Sequence, residues 1–88
     1  MDAPDVAAEV QGLMPQLRSD LETLVRIPSV SVPGRVDPPL LEAFELTSRL
    51  FAEAGATVER LDLPDTAPVV TGGIPAPEGA PTVLLYSH

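Results

Sequence analysis

Residues 83–86 read Val-Leu-Leu-Tyr, and Ser87 and His88 follow. A continuous apolar run, rather than an alternating one, marks a strand covered on both faces, hence an interior strand of an α/β sheet. Such a strand needs hydrogen-bonding neighbours on both edges and a packed layer on each face. That requirement sets a minimum size for the fold, and 88 residues, enough for one small domain at most, hardly meet it.

The preceding segments predict two helices and two strands. Asp5 stands where an N-cap would open a helix over Val6–Arg26. Val6, Val10, Leu13, Leu17, Leu21, Leu24 and Val25 recur at three- and four-residue steps and form one apolar stripe. Core packing is the ordinary use of such a stripe, and a partner-binding helix is the alternative. Gly12 and Pro15 interrupt it, and an interior proline predicts a kink or break near Met14. Pro28 ends the segment.

Asp37 reads as a second N-cap, with Pro38 in the first helical position. Leu40, Leu41, Phe44, Thr47, Leu50, Phe51 and Ala54 then define a buried face, Glu45 is spaced to pair with Arg49, and Gly55 closes the helix. Strands are expected over residues 57–63 and 68–72, and their short connection requires an antiparallel pair. "GIPAPEGAP" carries no helical period and returns the chain to a third strand over residues 82–87. The expected fold class is α/β: two N-terminal helices, then the opening strands of a mixed sheet. Residues 1–88 read as the front part of a larger α/β domain.

Charge and composition remove several functions. The net charge is −8, with five Arg, no Lys and no basic stripe to neutralise phosphates, which argues against nucleic acid and anionic membrane surfaces. Neither a secretory signal nor a membrane-spanning stretch is visible, so a cytoplasmic location is expected. Cysteine is absent, which excludes thiolate metal sites. Eleven prolines cluster between the periodic segments as loop punctuation.

The chemically capable residue is His88, just past the carboxyl end of the third expected strand. Ligands gather at that end of open α/β sheets, and imidazole serves both as a zinc ligand and as an acid/base group. The plainer reading is a polar residue at a chain end. Catalytic zinc normally takes three protein ligands, and one imidazole does not hold it. If His88 binds metal, its partners lie outside this sequence. Gly72 and Gly73 lack the Lys-Ser/Thr and helix of a phosphate loop, and read as turn residues.

Three stretches, taken in order, resemble the N-terminus of a known family. They are "LVRIPSVS" closing the first helix, "AGATVERLDL" after the second, and "EGAPTVLLYSH" ending in His88. The family is that of the dinuclear zinc metallopeptidases: aminoacylases, carnosinase-like dipeptidases, acetylornithine deacetylases and succinyl-diaminopimelate desuccinylases. The wording "VLLYSH" leans toward the dipeptidases. The family pattern at this strand is His, any residue, Asp, and only His88 is matched here.

The resemblance implies an α/β catalytic domain, a smaller inserted domain used for homodimerisation, and two zinc ions sharing a hydroxide. Two such ions acidify a shared water and polarise a scissile carbonyl, while a carboxylate moves the proton. The implied substrate is a small peptide or an N-acyl amino acid. His88 is the one metal ligand carried over, with no catalytic residue beside it, and the 88-residue chain alone is predicted inactive. A small acidic interaction module, with His88 incidental, is the non-enzymatic alternative.

Overall fold

The computed structural model describes residues 5–87. It contains two helices, α1 (Val6–Arg26) and α2 (Pro38–Glu53), followed by two strands, β1 (Thr57–Leu61) and β2 (Val69–Gly73). The strands form a two-stranded antiparallel sheet in which Thr57 faces Gly73 and Leu61 faces Val69. The described residues therefore form a small assembly of two helices and a hairpin.

Capping chemistry fixes the helix ends. Asp5 is extended and its Oδ1 accepts the Ala8 N–H at 3.1 Å, satisfying one orphan donor of α1. At the other end the Ile27 N–H donates to the Leu24 carbonyl, and Pro28 prevents continuation. Of the kink or break expected near Met14, the break does not occur: α1 runs as one element through Pro15. Residues 11–19 are exposed, so the carbonyl freed by the missing proline donor is open to water rather than buried without a partner.

Asp37 occupies the N-cap position of α2 but makes no side-chain cap bond. Its carboxylate instead takes both bonds from Arg35 Nη2, at 3.2 and 3.0 Å. Arg35 leaves a tight turn in which its N–H donates to the Val32 carbonyl, with Pro33 and Gly34 (φ 75°) at the centre. The far end of α2 is a Schellman closure. Gly55 sits at φ 98°, its N–H donates to the Ala52 carbonyl, and the Ala56 N–H donates to the Phe51 carbonyl. The expected Glu45–Arg49 pair is replaced by a loose, exposed Arg49–Glu53 pair at 4.0 Å.

One face of the hairpin packs against α2. Val58 and Val70 on that face are half-buried, Gly72 meets Phe51, and the Arg60 guanidinium lies 5.3 Å from the Phe44 ring centroid. On the opposite face, the Thr71 hydroxyl donates to the Glu59 carbonyl at 3.2 Å. The most buried described side chain is Leu46, 8 % exposed, which the expected α2 face did not include. It belongs to the row Pro39, Ala43, Leu46, Leu50, all at least half-buried and three or four residues apart.

Two expectations about the apolar segments are corrected. No residue of α1 is buried, and the stripe is open to solvent, with Leu13 56 % and Leu17 51 % exposed. Beside its C-terminal half stands α2, and nothing else among the described residues covers the rest. Residues 82–87 form no strand, and Leu84 and Leu85 are each 89 % exposed. An apolar run of this kind needs neighbours on two edges, and the described residues offer one two-stranded sheet.

Candidate functional site

The predicted metal ligand, His88, lies outside the described residues. The segment leading to it is described as far as Ser87, which is exposed. Residues 82–85 form one wall of a groove of about 520 Å³. Phe51, Ala54 and Ala56, at the Schellman closure of α2, form a second wall, and Gly72, Gly73 and Ile74 form the third. The size would suit a small ligand. Among the described residues its lining holds no ionisable side chain, and its only hydroxyl is that of Thr82. These described residues bury apolar surface and offer no acid, base or charged ligand of their own.

Gly72 and Gly73 have a different role from the turn expected of them. Both lie in β2, and a Cβ on Gly72 would meet Phe51 Cδ2 at 3.0 Å and the Ala56 Cβ at 3.3 Å. Glycine lets the strand approach the end of α2. Sequence reasoning missed this wall, although a glycine within a strand-like "VVTGG" is itself a sign of close backbone approach.

A second notch lies between the end of α1 and the middle of α2. Thr23, Arg26 and Ile27 face Glu42, Leu46 and Arg49 across it. Its charged residues are exposed and of both signs, so water serves them as well as a ligand would. Among the described residues no group of three or more His, Cys, Asp or Glu is placed to hold a metal ion. The described residues thus do not fit a zinc centre by themselves. No described helix is long and apolar enough to cross a membrane.

Comparison with models of known protein families, with curated proteins and with solved structures finds no match to this chain.

Proposed function

We propose that the chain is the N-terminal part of the catalytic α/β domain of a metal-dependent amide hydrolase. A dipeptidase is the favoured activity, with an N-acyl amino acid deacetylase or desuccinylase as the other choice. One observation carries the reading: the order in which three family-like stretches fall on the elements. "LVRIPSVS" closes α1, "AGATVERLDL" spans the turn after α2 and all of β1, and "EGAPTVLLYSH" follows β2. In this reading residues 82–87 become an interior strand of a mixed sheet once neighbours are supplied, and His88 contributes one zinc ligand. The other ligands, the general base and a dimerising domain come from outside these residues. The substrate is a small peptide or N-acyl amino acid, and the location is cytoplasmic.

The coding sequence immediately past His88 tests this. The reading expects an open frame with Asp as the second residue after His88. A stop codon at that position, in a gene whose product is a compact soluble monomer, contradicts it. A second reading, an acidic interaction module, is favoured by the uncovered stripe of α1, which offers docking surface without chemistry.

A further inference from the structure

We draw no further inference here: the strongest candidate, the apolar groove between α1 and α2 walled by Leu13, Leu17 and Leu21 on one side and Leu50, Phe51 and Ala54 on the other, is an unpartnered face, and nothing in the structure shows what covers it.

Discussion

Gly72 lies so close to Phe51 that a Cβ on the glycine would stand 3.0 Å from the ring's Cδ2. This contact joins the hairpin to α2, because β2 can approach the helix end only where it has no side chain. Gly72→Ala should therefore destabilise the chain by about 1–3 kcal/mol through overpacking. Gly73→Ala should be close to neutral, since a Cβ there meets nothing within 4 Å. Urea denaturation of the two variants checks the contrast, and equal effects would refute it.

Asp5→Ala should lose about 1 kcal/mol of helix stability, because the Asp5 carboxylate caps the Ala8 N–H. The loss should appear as fraying of α1 and leave the α2–hairpin unit largely unaffected, since α1 has no buried residue. Asp37→Ala should cost α2 less, because Asp37 makes no cap bond and its partner Arg35 is exposed. Amide exchange in the first turn of each helix reads the difference.

Pro15→Ala should raise the helicity of α1. Proline in a helix interior is roughly 3 kcal/mol worse than alanine, and Pro15 stands in an exposed stretch with no packing role to lose. Circular dichroism at low temperature should show the gain. Unchanged helicity would mean that α1 already meets no penalty at Pro15.

The local signals were legible in the sequence, and the tertiary ones only in part. The Asp5 cap and the Gly55 closure rest on interactions within a few residues, and the short link between β1 and β2 dictates an antiparallel pair, so residue type and spacing specify them. Leu46 was missed because two apolar rows run along α2, and the choice between them depends on where the end of α1 sits. The stripe of α1 and the run at residues 83–86 were readable as surfaces that need covering. What covers them is not local information, and within this chain they stay exposed. The candidate site shows the same division. His88 was singled out by chemistry and position, whereas the apolar groove beside residues 82–85 depends on Gly72 meeting Phe51 across the fold.

Ser48→Ala should stabilise the chain. The Ser48 hydroxyl is buried without a hydrogen-bond partner, and alanine both removes that orphaned group and favours the helix. The expected gain is about 1 kcal/mol, seen as a higher urea midpoint with unchanged slope. A loss of stability would show that the hydroxyl has a partner in solution.

The most direct test of the hydrolase account is amino acid release from dipeptides by the complete gene product, with and without a zinc chelator, beside its His88→Ala variant. The account predicts chelator-sensitive hydrolysis that falls by more than about 100-fold in the variant, beyond the usual effect of removing a residue that only supports a ligand. Undiminished turnover in His88→Ala, or no hydrolysis of dipeptides or N-acyl amino acids by the complete product, would contradict it.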